Sequence, residues 1–215
     1  MLRLLLPSLT ASVPLPAAAV PAAPPGGLVA VAAAAGLRPE VLGAALSARR
    51  RAVAERLTTS PLLTVIDYSL PSRVRRLWVL DVRAGRVLAR EYVAHGRNSG
   101  DDLARRFSNR AGSLQSSLGL FLTGRVYRGK HGLSLRLRGL DPVLNSRAEA
   151  RAIVVHGADY VSERTIASLG RLGRSHGCPA LERVAARRVI ELIRDGSALF
   201  AYHPSAVGGA PLALR

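Results

Sequence analysis

The sequence predicts a mainly β fold with a few helices, arranged as a β-sandwich or an open barrel. Short runs rich in valine, isoleucine and tyrosine recur from Pro61 onward, and runs of this length and composition are typical of strands. Few helical patterns separate these runs, which argues against an alternating α/β sheet. The predicted strands are 63–68, 77–82, 87–93, 118–123, 133–137, 152–156 and 198–202.

Three predicted segments precede this β-rich region. Residues 1–23 combine a basic start at Arg3, a short apolar run and small residues near 19–23, which is the pattern of a secretion signal. Residues 24–36 are rich in proline, glycine and alanine and are predicted to be a linker. Residues 37–59 place apolar side chains at helical spacing and predict a helix. Prolines interrupt the N-terminal region too often for a membrane-spanning helix, so no transmembrane anchor is expected.

The rest of the chain is predicted to form one compact domain over 60–204, followed by a tail over 205–215. A chain of 215 residues is long enough for one well-buried domain with extra segments. Residues 95–117 are rich in glycine, serine, asparagine and arginine. A loop of this length is uncommon in a compact domain unless it has a function, so a binding role is one interpretation of it.

The strong positive charge of the chain favours acidic binding partners. The formal net charge is +17, and Lys130 is the only lysine among 31 basic residues. The arginines are scattered, aromatic residues make up only 4% of the chain, and no signature of a nucleic-acid-binding module is present, so no nucleic-acid partner is expected. An anionic cell-wall polymer or an acidic peptide fits the charge as well.

The candidate chemistry surrounds the only cysteine, Cys178. Pro179 and the helical spacing of apolar residues behind it predict a helix with Cys178 at its N-cap. Such a position would lower the pKa of the thiol and favour a nucleophilic thiolate. A cysteine nucleophile also needs a base. His156, which ends an apolar strand, and His176 both qualify.

His156-Gly157, followed at the family's spacing by Ser175-His176-Gly177-Cys178, resembles the active-site signature of the murein L,D-transpeptidases, exported bacterial enzymes that cross-link peptidoglycan. The similarity extends over residues 60–203 and includes Asn98-Ser99-Gly100 and Ser116-Ser117-Leu118-Gly119. It implies an L,D-transpeptidase-like β-rich domain and transfer of an acyl group through a cysteine thioester.

The resemblance also implies roles for individual residues. Cys178 would be the nucleophile, His156 the base, and the Gly157 carbonyl the group that orients the base. Ser175, His176 and the backbone N–H groups of Gly177 and Cys178 would surround the oxyanion. The remaining candidate substrate contacts are Asn98, Ser117, Tyr160 and Arg174.

The substrates that the resemblance implies are peptidoglycan stem tetrapeptides, which would lose their terminal D-alanine, and carbapenems would act as acylating inhibitors. No metal or other cofactor is expected. The chain departs from the usual family pattern at Ala180, where asparagine or arginine is common, which puts one side-chain contact in doubt. The acyl acceptor, either an amine of a second stem or water, stays open.

Other interpretations of the same residues remain. Gly173-Arg174-Ser175-His176-Gly177 matches a G-x-S-x-G nucleophile elbow, and Asp195 and His203 follow in the order found in α/β-hydrolases, although no strand pattern precedes the motif. His156, His176 and Cys178 have the side chains of a zinc site. Their spacing along the chain fits no compact zinc motif, which disfavours this interpretation. A serine penicillin-binding enzyme is disfavoured, because Tyr127 lies three positions before Lys130, where the S-x-x-K motif requires serine. A non-catalytic basic wall-binding module is the alternative from another class.

Overall fold

The computed structural model describes residues 25–206. Its helices are α1 (Pro25–Ala34), α2 (Pro39–Ala54), α3 (Glu163–Leu169) and α4 (Arg183–Ile193), and a 3-10 turn follows at Pro204–Ala206. Its strands are β1 (Leu62–Asp67), β2 (Leu77–Asp81), β3 (Arg86–Glu91), β4 (Gly119–Gly129), β5 (Gly132–Gly139), β6 (Val154–Gly157), β7 (Ala180–Leu181) and β8 (Ala198–Tyr202). Each of the seven predicted strands overlaps an observed one, and β7 is additional.

The eight strands form one sheet in the order β3-β2-β1-β8-β4-β5-β6-β7. Neighbours are antiparallel except for two parallel pairs, β1 with β8 and β6 with β7. Beyond the end of β3, Ala94 forms a bridge to Ala180 of β7, so the two edges of the sheet approach each other and nearly close it. The predicted mainly β fold of the open-barrel type is therefore confirmed.

The sheet buries both of its faces. Along β1, Leu63 and Val65 belong to the core beneath α2, whereas Ile66 belongs to the core that α4 covers. This alternation follows from the two-residue period of a strand. Burying one such side chain contributes about 1.5–3 kcal/mol. The core that α4 covers includes Val155 of β6, Leu181 of β7 and Ala186 of α4, and so it holds these elements in fixed relation.

The N-terminal region differs from its prediction at one point. The segment 24–36, expected to be a linker, contains α1, whose Leu28 and Ala32 are buried. Alanine has the highest helix propensity, and the apolar side chains gain burial on the sheet, so tertiary packing outweighs the low-complexity composition. The indole N–H of Trp78 donates to the Ala35 carbonyl at 2.8 Å just beyond this helix.

Helix α2 occupies most of the segment predicted to be helical. The guanidinium of Arg38, its N-cap residue, lies 2.8 Å from the buried carboxylate of Asp67 at the end of β1, which fixes the helix on the sheet. The predicted leader, residues 1–23, and most of the predicted tail lie outside the described residues. Among the helices of residues 25–206, none has the length and apolar character needed to span a membrane.

Candidate active site

Two of the predicted site residues lie on neighbouring segments of the sheet. His156 of β6 is in register with Ala180 of β7, and Cys178 lies two residues before Ala180. Because β6 and β7 are parallel, the histidine and the cysteine-containing turn meet at the same edge of the sheet. Gly157 follows His156 where β6 passes close to α4: a Cβ at this position would lie 2.9 Å from the Arg183 Cα. Glycine is the only residue that fits this approach.

The tautomer of His156 is fixed by its neighbour. Its Nδ1 lies 3.0 Å from the Gly157 carbonyl oxygen, and since a carbonyl can only accept a hydrogen bond, Nδ1 carries the proton and Nε2 keeps a lone pair. The side chain is 2% exposed. Burial lowers the pKa of His156, the bond to Gly157 opposes this effect, and His131, Arg183 and Lys130 lower the pKa further. The imidazole is therefore neutral and able to accept a proton near neutral pH.

A second histidine covers this imidazole. His131, in the turn between β4 and β5, stacks on His156 with 4.3 Å between ring centroids and 26° between ring planes. The pairing of Ser134 with His156 brings this turn to the site. Sequence reasoning missed His131, because a histidine in the hairpin Gly129-Lys130-His131-Gly132 carries no signal that it will contact another strand.

We expect His131→Ala to raise the pKa of His156 and His131→Phe to leave it low. Burial disfavours the charged imidazolium. Alanine at position 131 exposes the ring to water, whereas phenylalanine keeps it covered and adds no charge. NMR titration of the His156 ring protons measures both values. Equal His156 pKa values in the alanine variant and in the unmodified protein would contradict this account of the stack.

Cys178 does not occupy the position that the sequence predicted. Helix α4 begins at Arg183, with Glu182 as its N-cap residue, and β7 intervenes between the cysteine and the helix. The predicted N-cap is wrong because residues 180–181 pair with β6 before the helix begins. Burial raises the pKa of the Cys178 thiol, opposed by a hydrogen bond from the Val154 backbone and by the charge of Arg151. The expected low thiol pKa is therefore also wrong.

The thiol is half-buried and points toward the segment that leads into β6. Its Sγ donates to the Ala152 carbonyl at 3.7 Å. Tyr160 is close enough for the charge of Cys178 to affect it: burial, followed by that charge, raises the pKa of Tyr160 to about 12. The predicted contact residue Tyr160 packs against Gly173, in the segment that leads to Cys178, and is protonated at neutral pH.

Ser175 organises the turn that carries the cysteine. Its hydroxyl donates to the Cys178 carbonyl at 2.6 Å and accepts from the Gly177 N–H at 3.0 Å. Its own N–H donates to the His95 carbonyl at 2.9 Å. The Ser175 hydroxyl and the Gly177 N–H, both predicted near the oxyanion, therefore satisfy each other within the turn. The adjacent His176 is exposed.

A buried network supports this turn from below. Arg76 is fully buried, and its Nη2 lies 2.7 Å from His95 Nδ1. Burial and the Arg76 charge lower the pKa of His95 to about 4, so the imidazole is neutral and accepts from the guanidinium. The same guanidinium lies over the Tyr68 ring, 5.1 Å from its centroid. The network fixes the His95 carbonyl to which Ser175 is bonded.

Arg151 connects the long loop to the cysteine. Its guanidinium donates to the carbonyl oxygens of Ser108 at 2.5 Å and Gln115 at 2.6 Å, and to the hydroxyl groups of Ser117 at 2.6 Å and Ser113 at 3.2 Å. Ser117, a predicted substrate contact, also donates to the Ser108 carbonyl. Its hydroxyl is thereby engaged in holding Arg151, a residue that sequence reasoning did not select.

Two other predicted contact residues brace the loop over 95–117. The Arg174 guanidinium lies 2.7 Å from the Asp101 carboxylate and 3.1 Å from the Gly100 carbonyl oxygen. The Asn98 amide donates to the Ser113 carbonyl at 3.0 Å. The Asn98 bond joins two segments of the loop, and the Arg174 bonds join the loop to the segment that leads to Cys178.

The residues of the serine-hydrolase interpretation are dispersed. Asp195 lies in the turn after α4, with its carboxylate 3.5 Å from Arg194. The ring of His203 packs on Phe107, and its Nδ1 contacts the Ser205 hydroxyl. Within residues 25–206, no hydrogen bond joins Ser175 to either of them. Over the same range, no group of three or more His, Cys, Asp or Glu side chains is arranged to hold a metal ion.

Comparison with known proteins identifies the class. A family model for the L,D-transpeptidase catalytic domain matches residues 33–202. The chain belongs to this family, which confirms the resemblance carried by the motifs around His156 and Cys178. The comparison with curated proteins finds no match.

Solved structures similar to this chain include an L,D-transpeptidase from Mycobacterium smegmatis (15% identity, TM-score 0.42, 67% of this chain and 59% of that chain). A second is an L,D-transpeptidase from Xylanimonas cellulosilytica (18% identity, TM-score 0.41, 81% and 78%). A third is a helical cell shape determining protein from Campylobacter jejuni (12% identity, TM-score 0.43, 68% and 48%). The chain covers about three fifths of the length of the first of these proteins.

Proposed function

We propose that this protein is an exported cysteine acyltransferase that acts on peptidoglycan stem tetrapeptides. Cys178 Sγ attacks the carbonyl carbon of the third residue of the stem, and His156 Nε2 takes the thiol proton. The observation that carries the proposal is the hydrogen bond between His156 Nδ1 and the Gly157 carbonyl at 3.0 Å. It leaves Nε2 as an acceptor on the strand that is paired with the segment carrying the cysteine.

The resting pair is neutral in this proposal. Burial lowers the pKa of His156 and raises that of Cys178, so the thiol keeps its proton until the substrate is bound. His156 then takes the thiol proton, and the resulting thiolate attacks the substrate carbonyl. The negative charge moves from sulfur to the carbonyl oxygen, which needs a hydrogen-bond donor. The backbone N–H of Cys178 is the proposed donor, because the Gly177 N–H is bonded to Ser175.

The reaction continues by acyl transfer. The tetrahedral intermediate collapses, the bond to the D-alanine nitrogen breaks, and the imidazolium of His156 returns its proton to the leaving amine. An amine of a neighbouring stem then attacks the thioester, gives its proton to His156 and restores the Cys178 thiol. Water in place of the amine gives a carboxypeptidase.

Two further parts of the proposal follow from the same chemistry. Carbapenems acylate Cys178, because opening the strained lactam retains the leaving nitrogen within the adduct and the whole inhibitor stays attached. Peptidoglycan lies outside the cytoplasm, so the protein needs export, and residues 1–23 are the proposed signal. Neither part requires a metal or another cofactor.

Mass spectrometry of the intact protein tests the proposal. The protein is incubated with a carbapenem and, separately, with a disaccharide tetrapeptide, beside Cys178→Ala. We expect a Cys178-dependent increase equal to the full carbapenem mass, release of D-alanine and formation of a cross-linked dimer. D-Alanine release without the dimer indicates a carboxypeptidase. If the folded, reduced protein gives no adduct and no turnover, the proposed enzyme activity is overturned and the wall-binding module is favoured.

A further inference from the structure

Arg151 is a half-buried cation without an acidic partner in the described part of the chain. Its four hydrogen bonds go to two carbonyl oxygens and two hydroxyl groups, all of them neutral. No ion pair between residues 25 and 206 includes its guanidinium. Removing a cation from water is unfavourable unless an anion compensates for it. The site is therefore arranged for a negative charge that the resting protein lacks.

The place for that charge is the turn over residues 175–178, called the cysteine turn here. A Cβ built on Gly177 would lie 3.3 Å from Arg151 Nη2, and Cys178 Sγ donates to the carbonyl of Ala152, the residue after Arg151. The two groups also affect each other: burial lowers the pKa of Arg151 and Cys178 opposes this effect, while burial raises the pKa of Cys178 and the charge of Arg151 opposes that effect. The thiol is thus the nearby group that can become an anion.

We propose that Arg151 is a positioning residue that supplies a fixed counter-charge to the Cys178 thiolate and to the anionic intermediate formed from it. The inference rests on the proposed function and extends it. Four of the five guanidinium N–H groups are engaged with residues 108–117, so Arg151 acts through its electric field and does not bind the substrate through these groups. It takes the place of the helix N-terminus that the sequence had led us to expect.

The rigidity of Arg151 is what makes this field useful. A preorganised charge stabilises a developing anion without reorienting during the reaction. Ser117 contributes by accepting from Arg151 while donating to Ser108. The other titratable or charged groups that face the thiol or its turn are Lys130 from the β4–β5 turn, Tyr68 after β1, Tyr160 after β6, His156 of β6 and His176 of the turn itself.

The pH dependence of alkylation by iodoacetamide tests the inference, because the chain has one cysteine. Removal of a nearby cation disfavours the thiolate, so Arg151→Met is expected to raise the thiol pKa by about one unit. Alkylation at a pH below that pKa then slows about tenfold. Arg151→Lys restores part of the rate. Arg147→Met, at an exposed arginine of the same turn, leaves the pH midpoint unchanged.

Thermal unfolding followed by circular dichroism accompanies each variant. Arg151→Gln keeps hydrogen-bond donors without the charge, and it replaces the methionine variant if that protein does not fold. The counter-charge is overturned if folded Arg151→Met or Arg151→Gln protein is alkylated with the same pH midpoint as the unmodified protein. Turnover of the tetrapeptide by the unmodified protein is measured in parallel. Its absence, together with an Arg151-dependent thiol pKa, contradicts the proposed function and supports the counter-charge.

Discussion

Replacement of His156 by glutamine is expected to lower kcat/KM for the tetrapeptide by about 10²- to 10⁴-fold, the range typical of a lost general base. Glutamine fits a similar volume, and its amide N–H can still donate to the Gly157 carbonyl. It cannot take the thiol proton. D-Alanine release measured by a coupled assay gives kcat/KM, and thermal unfolding shows whether the variant retains the fold.

The pH dependence of kcat/KM for the unmodified protein is expected to reflect the protonation of His156 and of Cys178. Because burial lowers the pKa of His156, its neutral form persists as the pH falls, and kcat/KM declines only below the ordinary histidine value of about 6.5. The thiol proton that His156 takes is the proton that it returns to the leaving amine, so kcat/KM declines once the thiol is deprotonated. Because burial raises the thiol pKa of Cys178, this alkaline decline begins above the ordinary cysteine value of about 8.5. The plateau is therefore broad and includes neutral pH.

His203→Gln is the matched control for His156→Gln. His203 belongs to the serine-hydrolase interpretation, and its Nδ1 contacts only the Ser205 side chain and backbone among the described hydrogen bonds. We expect this variant to retain kcat/KM within about twofold, since it lacks any part in the proposed proton transfer. Equal losses in the two variants, or near-normal turnover by His156→Gln, would contradict the assignment of the base.

The local pattern of apolar residues was sufficient to predict the strands, and the local sequence was sufficient to recognise the histidine and cysteine motifs. The strand that ends in His156-Gly157 is recognisable because its apolar run is bounded by residues that end a strand, and β1, β2 and β8 follow the same logic. The family was recognisable for a related reason: the histidine and cysteine motifs keep a fixed spacing along the chain. Neither conclusion needed knowledge of which strands are neighbours.

Long-range contacts explain what the sequence did not reveal. The start of α4 was misplaced because pairing of Ala180 with His156 takes residues 180–181 into β7. Arg151 and His131 were missed because each lies in a turn far from Cys178 along the chain. Helix α1 was missed because its stability depends on a sheet surface that composition cannot show. Periodicity reports local geometry, and charge placement beside Cys178 is a tertiary property.

Gly177→Ala is expected to destabilise the protein by about 3 kcal/mol and to abolish most turnover. Gly177 has φ +121°, a conformation that costs a residue with a side chain about 1–3 kcal/mol. Its Cβ would lie 2.7 Å from the Gln115 carbonyl oxygen and 3.1 Å from Ile153 Cδ1, and overpacking of this kind adds about 1–3 kcal/mol. Urea denaturation and D-alanine release measure the two effects.

The loss of turnover has a specific cause. The Gln115 carbonyl that the new methyl group would displace also accepts from Arg151 at 2.6 Å, so the substitution moves the proposed counter-charge and the cysteine turn together. Gly170→Ala separates backbone strain from this clash, because Gly170 has φ +69° and open space around its Cβ position. We expect that control to lose about 1 kcal/mol and to keep its turnover. If Gly177→Ala is no less stable and no less active than Gly170→Ala, the close packing of Gln115 and Arg151 on the turn does not control the nucleophile.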